Sequence, residues 1–322
     1  MTMRRSDRLV LVAPFYRRRR LGLSSGLQLA GLGASERLTE ISEILIADEA
    51  SRPALRELVD FLFADHGREW DWLELMLGPE QGWFEPAWLP VHAVARGAAF
   101  LHKGTKPFVV LDLPQTWEGL RGNLKPNMKE AIRRSVNRLA RVDEGWEYLL
   151  PADKGEFESA LDVLVRLHRA RAAVTSHELH ANYFEQGQSE AFIRDAALAM
   201  FVAGVGTVAR VRIGGVDAAA RLVLHGNDST FFSFSGLDPA YWEYGPGTAL
   251  MVEALRSAIA RGEHVANLSQ HPETSKLRWS ERLELRHEFL VIAPRRRALL
   301  STMLYLQLAA LRRSAELFRA GA

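Results

Sequence analysis

Residues 207–248 read TVARVRIGGVDAAARLVLHGNDSTFFSFSGLDPAYWEYGPGT, and this stretch decides the fold. Thr207–Ile213, Ala218–His225 and Ser229–Ser235 carry the period-two patterning of strands with one buried face. The joints are Gly214-Gly215 and Gly226-Asn227-Asp228, residue types that accept the positive φ of tight hairpins. The third strand leads into Trp242-Glu243-Tyr244-Gly245-Pro246-Gly247-Thr248 and then into a 3.6-period stretch. There Leu250, Met251, Ala254, Leu255, Ala258 and Ile259 share a face, with Pro246 before the helix and Gly262 after it. The loop therefore lies between a strand and a helix N-terminus, where first-turn N–H groups lack partners and the dipole adds partial positive charge. It is either a plain turn and cap or a seat for an anion such as a pyrophosphate.

Upstream, Phe157, Leu161, Leu164 and His168 recur at helical spacing and predict a helix from Glu156 to about Arg171; a second runs from Ser189 to about Val202. Downstream come a strand at His264–Leu268, a helical turn at Lys276–Trp279 and a last strand at Glu284–Ile292. The order α-α-β-β-β-α-β-(α)-β predicts a mixed sheet with helices packed on it, an α/β fold in α+β layers.

The first half carries weaker signals. Leu9–Phe15 reads as one buried strand, and Arg52–Phe63 as a helix with Leu55, Leu58, Phe61 and Leu62 inward. Asp71–Met76, Val91–Val94 and Phe108–Leu113 read as strands. Trp70, Trp72, Trp83 and Trp88 suit a core and its rim better than a sugar platform. A basic segment, Thr116–Val142, opens as a helix at Thr116, breaks at Pro126 and resumes with Ile132, Val136 and Leu139 as its apolar stripe. Lys125, Lys129, Arg133, Arg134, Arg138 and Arg141 form either a solvated face or a seat for an anionic partner.

The chain has 322 residues, 48% hydrophobic and 25% charged, enough for about two globular domains. Without cysteine it has no disulfide, thiolate nucleophile or cysteine-bound metal. Its histidines lack metal-ligand spacing, so no metal is expected. No P-loop, G-x-G-x-x-G after a strand or G-x-S-x-G occurs. The longest apolar stretch, Ala196–Ala209, falls short of the roughly 20 residues that span a bilayer, and a cytoplasmic protein is expected. Near the end, Arg295–Arg297 precede the apolar run Leu299–Leu311, which is closed by Arg312-Arg313. This basic amphipathic helix either packs on the domain or a partner chain, or touches the inner membrane from one side.

The second half resembles the GNAT acyltransferase fold. More closely it resembles the BioF2-like, cellulose-biosynthesis (CelD-type) acetyltransferase group, relatives of the FemAB peptidyltransferases. The residues that carry this are Leu167–Arg171, Val211–Ala220, Phe234–Pro239, Tyr244–Gly247 and Ser275–Trp279, with the basic helix at Leu124–Leu139. The family's usual aspartate in the strand after the loop–helix unit is Asn267 here, and its tyrosine before the lysine is Ser275. The resemblance implies four segments: a shortened GNAT-like domain (1–115), the basic helix with a connecting strand (116–150), the acyltransferase domain (151–293) and the C-terminal helix (294–322).

The resemblance also implies acyl transfer from acetyl-CoA or another acyl-CoA to an amine of a sugar or cell-envelope precursor. Gly245, Pro246, Gly247 and Thr248 would hold the donor's phosphates, and backbone N–H groups near Ser233–Ser235 would face the thioester oxygen. His271, Glu273 and His168 are the proton acceptors on offer; His168, on an apolar stripe, suits a satisfied core position better. Lys276 is placed to bind acceptor or phosphate, and Tyr244 to protonate the leaving thiolate. Two alternatives stand beside this reading. One is FemAB-type aminoacyl transfer from tRNA, the only reading that involves nucleic acid. The other is a catalytically degenerate scaffold at the membrane in polysaccharide synthesis.

Overall fold

A computed structural model describes residues 1–20, 22, 24–30, 44–47, 53–64, 69–78, 88–174, 181–184, 187–226 and 228–320. The chain forms two compact units, one of Met1–Lys106 with Glu284–Ala322 and the other of Pro107–Leu283.

The first unit begins with β1 (Thr2–Arg5), β2 (Arg8–Val12), β3 (Phe15–Arg20), β4 (Ser24–Leu29) and β5 (Leu45–Ile46). The apolar run expected as one strand is therefore split: β2 ends at Val12, Pro14 intervenes, and the arginines after Phe15 belong to β3. Then come α1 (Pro53–Ala64), β6 (Trp72–Leu77), α2 (Trp88–Ala95) and β7 (Ala99–Asp112). In α1, Val59 takes the inward place expected for Phe61, which is exposed. Val91–Val94 lie in α2, not in a strand. Leu89 and Ala93 turn inward while Val91 and Val94 turn out, a distinction that so short a segment does not reveal. Trp70 and Trp72 are core residues; Trp83 lies outside the described residues.

The second unit contains the last residues of β7, followed by α3 (Trp117–Asn123), α4 (Pro126–Leu139), β8 (Trp146–Leu149), α5 (Lys154–Ala172) and α6 (Gly187–Val202). Next are β9 (Gly206–Ile213), β10 (Val216–His225), β11 (Ser229–Leu237), a 3₁₀ turn (Pro239–Tyr244) and α7 (Pro246–Ala260). It closes with β12 (Val265–Gln270) and α8 (Thr274–Leu277). Thr116 caps α3 through its hydroxyl, and Pro126 begins α4, where its missing N–H costs nothing. The inward stripe of α4 is Met128, Ile132, Ser135 and Leu139; Val136, expected inward, is exposed. Gly214 and Gly215 turn the β9–β10 hairpin with φ of 56° and 78°. The sheet order here is β7-β12-β11-β10-β9-β8, antiparallel except for the β11–β12 pair.

The chain then returns to the first unit with β13 (Leu283–Ile292) and α9 (Arg296–Ala320). There the order is β3-β4-β6-β13, with the beginning of β7 beside β13, and a small sheet β1-β2-β5. Each unit has its own apolar core. The first also buries charge. Arg20, stacked 3.5 Å over the Trp72 ring, meets Glu74 at 2.6 Å, and Lys103 approaches the same carboxylate at 3.0 Å. Burial pushes Glu74 up, but the charges of Arg20 and Lys103 outweigh it and hold the carboxyl below its ordinary range.

Candidate active site

The parallel pair β11–β12 sets the stage. Their register covers only Ser229–Phe231 against Val265–Asn267, after which no pairing is recorded between them. Beyond that point the two strands offer a gap at their carboxyl ends, the usual place for a ligand in an open α/β sheet. The predicted site residues follow the ends of these two strands: Tyr244–Thr248 come after β11, and His271, Glu273 and Lys276 after β12.

On the β11 side, Asp238 caps the 3₁₀ turn by accepting the Ala240 N–H at 3.0 Å. Gly245 then takes φ 67°, ψ 45°, and α7 starts with Pro246. A side chain at Gly245 is opposed twice, by that backbone conformation and by Ser135, which an added Cβ would meet at 3.2 Å. The loop is clamped from α4. The Ser135 hydroxyl lies 2.9 Å and 3.0 Å from the carbonyls of Tyr244 and Gly245, and Arg138 donates to the carbonyl of Glu243. With Gly245 O already accepting the N–H groups of Thr248 and Ala249, the N–H of Gly247 has no backbone acceptor among the described residues. Gly247 is small for packing: its absent Cβ would meet Leu237 at 3.1 Å. The loop is thus built to present an N–H at a helix N-terminus, which suits a phosphate group.

Upstream of the loop, β11 carries a bulge. Arg221 pairs with Ser235 and Val223 with Phe232, so Ser233 and Phe234 oppose Leu222 alone. Such a bulge re-aims backbone groups, here around Ser235. Ser235 is half-buried, and its carbonyl accepts from His168 Nδ1 at 2.7 Å. His168 Nε2 meets the backbone of Ala181 and Tyr183, and the ring is packed edge-on against Phe184. Burial holds this imidazole below its ordinary pKa. His168 is therefore a core residue that props β11, as its apolar stripe suggested. Gly236 makes the approach of α5 possible, since a Cβ there would lie 2.5 Å from the His168 backbone nitrogen.

The β12 side is built differently. Asn267 faces Val110 of β7 and Gln270 faces Phe108, so one residue too many lies between them. Ser269 absorbs it at φ 81°, its N–H donating to Asn267 Oδ1 at 2.8 Å. His271 follows at φ 65°, its N–H on the Pro107 carbonyl at 3.2 Å. Asn267, Ser269 and Gln270 are all buried. Glu273 is the N-cap residue of α8 and is exposed, as is His271; Lys276 donates back to the Gln270 carbonyl. Lys125, just ahead of α4, donates to the Leu277 carbonyl at 2.9 Å and pairs with Glu281. One helix thus braces both sides, at Lys125 and, ten residues on and about 15 Å away, at Ser135.

Sequence reasoning did not single out Ser135 or the Asn267–Ser269 bulge, and it named Arg138 only as one cation of the basic segment, not as a clamp on the loop. Ser135 had a signal, being at helical spacing from Ile132 and Leu139 on an inward stripe. A pocket of about 240 Å³ lined by Tyr148, His225, Ser257 and Arg261 lies at the other end of α7 and is not this cleft. Among the described residues no group of three or more His, Asp or Glu side chains could hold a metal.

Residues 126–273 match the family model described as the acetyltransferase (GNAT) domain. Among solved structures the chain is similar to FemX, with a TM-score of 0.63 at 10% identity over 91% of this chain and 87% of that one. The C-terminal domain of a lysylphosphatidylglycerol synthetase from Agrobacterium fabrum gives 0.53 at 15% identity, over 90% and 83%. A conserved protein from Bacteroides thetaiotaomicron gives 0.56 at 12%, over 87% and 84%. At such identities these likenesses speak for the fold. Among curated proteins the sequence has no match. The chain thus carries a match to an acetyltransferase domain of the GNAT type over residues 126–273, and the protein is an acyltransferase.

Proposed function

We propose that the protein moves an acyl group from an acyl-CoA, or from another acyl carrier, to an amine of a sugar or cell-envelope precursor, in the manner of the BioF2-like group. The observation that carries this reading is the clamped loop before α7, whose Gly247 N–H has no backbone acceptor among the described residues, following a β11 end that no longer pairs with β12. Gly245, Pro246, Gly247 and Thr248 receive the donor's phosphates at the positive end of the helix. Backbone N–H groups around Ser235 face the thioester oxygen, which gains charge as the amine nitrogen bonds to the carbonyl carbon. His271 or Glu273 takes the amine's proton, Lys276 orients the acceptor, and the C–S bond breaks as Tyr244 supplies a proton to sulfur. The first unit is the shortened GNAT-like copy of this reading, and the protein works in the cytoplasm beside the membrane.

Aminoacyl transfer from tRNA is the second reading, favoured by the backbone likeness to FemX. It ranks lower because at least four of the six cations of the basic segment that tRNA would need are engaged within the chain: Lys125 with Glu281, Lys129 with the Gly122 carbonyl, Arg133 with Glu130 and Arg138 with the Glu243 carbonyl. The test is calorimetric titration with acetyl-CoA, with a folded Gly247→Trp variant as the blocked loop. Micromolar binding that the variant loses is expected. A folded wild type that binds no acyl-CoA would overturn the reading and leave charged tRNA, a carrier protein or a scaffold.

A further inference from the structure

The C-terminal helix α9 is turned inside out for a helix packed on a domain. Its inward face carries Ala298, Ser301, Thr302, Tyr305 and Ala309 with Leu306 half-buried at its edge, small or polar apart from Leu306 and Tyr305, whose ring lies 4.3 Å from the Arg20 guanidinium. Its outward face carries the large apolar side chains: Leu299, Leu300, Met303, Leu304, Leu308 and Leu311 are all exposed, Leu300 and Leu311 by 67%. An ordinary surface helix shows the reverse, and a continuous exposed stripe of this kind marks an interaction surface.

The charges around the stripe have one sign. Arg295, Arg296 and Arg297 stand at the start of the helix and Arg312 and Arg313 near its end, with no Asp or Glu between Pro294 and Ala315. Three arginines at the positive end of a helix dipole oppose the helix they belong to. Arg295 answers a local need, donating to the Trp70 carbonyl and approaching Asp71 at 3.3 Å. Arg296 and Arg297 are exposed beside the apolar stripe. Val91 and Val94 on α2 add exposed apolar surface, and the turn after α2 meets the chain entering α9, Gly97 lying against Pro294.

We propose that the outward face of α9 docks the protein on an anionic lipid bilayer, the helix lying in the interface with its leucines down and its arginines among the headgroups. Among the described residues no helix is long and apolar enough to cross a membrane, so the docking is in-plane. A second copy of the chain fits the stripe less well, because a symmetric pairing would bring arginine against arginine with no acidic residue to answer it. The proposal stands apart from acyl transfer and does not need it.

The experiment is co-sedimentation of the full chain with vesicles of mixed phosphatidylglycerol and phosphatidylcholine, and with vesicles of phosphatidylcholine alone. Binding to the anionic vesicles only, weakened at high salt, is expected. The double variant Leu300→Glu, Leu304→Glu and the double variant Arg296→Gln, Arg297→Gln should each lower the partition coefficient at least about tenfold with unchanged melting temperature. Absence of binding to anionic vesicles, or binding that both variants retain, overturns the proposal. So does a dimer, seen by light scattering, that the leucine variant breaks while vesicles stay unbound; the face would then belong to a second copy.

Discussion

The turns after β11 and β12 leave neighbouring parallel strands, yet they are made in opposite ways. The first reaches its left-handed position with a glycine, adds proline at the helix start and is clamped by Ser135. The second reaches two such positions with Ser269 and His271 and buries Asn267 and Gln270 beside them. Left-handed backbone costs roughly 1–2 kcal/mol for a residue with a Cβ. The β11 turn is relaxed and rigid, while the β12 turn carries strain of the sort that gathers at functional sites. A donor shared by many enzymes can be held by the first kind of turn. The second kind places particular side chains, which suits the acceptor recognition proposed for it.

The comparison breaks first at Gly236. An alanine there drives its Cβ into the α5 backbone, which cannot yield as a side chain can. Gly236→Ala should cost about 3 kcal/mol in urea unfolding; a loss below about 1 kcal/mol would mean that the β11 wall is not rigid. Gly245→Ala should cost about 1–2 kcal/mol through its positive φ, and Ser135→Ala about 1 kcal/mol through the lost hydrogen bonds. The double variant should lose less than the sum, because the new methyl and the hydroxyl compete for the same space.

On the other side the sign reverses. His271→Gly should leave stability unchanged or raise it by about 0.5 kcal/mol, while acyl transfer falls about a hundredfold if the imidazole takes the amine's proton. Parallel losses of stability and rate would erase the contrast between the two turns.

The smallest effect is one of pH. Burial lowers the His168 pKa in the folded protein, so the folded state binds fewer protons than the unfolded one. Its contribution is complete above the ordinary histidine value and is lost as pH falls below it. Hydrogen-exchange protection factors, corrected for the intrinsic pH dependence of exchange, should therefore fall at Ser235–Leu237 on acidification from about pH 7 toward 5, before they do at Asn267–Gln270.

The same contrast explains what the sequence disclosed. Period two, paired glycines at Gly214-Gly215 and a G-P-G loop before a helix are local signals, and the second unit follows them closely. Leu9–Phe15 and Val91–Val94 were misread because a short apolar run is silent about its own period, and only Pro14 and the outward valines settle it. The β12 turn was illegible for another reason. Ser269 has no preference for positive φ that would betray it and His271 only a weak one, and the conformation of Ser269 follows from the register between β12 and β7. Nor does a row of cations on a helix tell which of them, Lys125, Lys129 and Arg138 here, will bend back onto backbone carbonyls.

The bracing by α4 makes its length a ruler. A helix turns about 100° and advances about 1.5 Å with each residue. Inserting or deleting one residue between Met128 and Ser135 would swing the hydroxyl away from the loop while Lys125 still gripped Leu277. Substitutions along the outer face of α4 should drift freely in such a protein, but its residue count should not. A change in the spacing of the two grips would have to be matched by a new distance between the β11 and β12 turns.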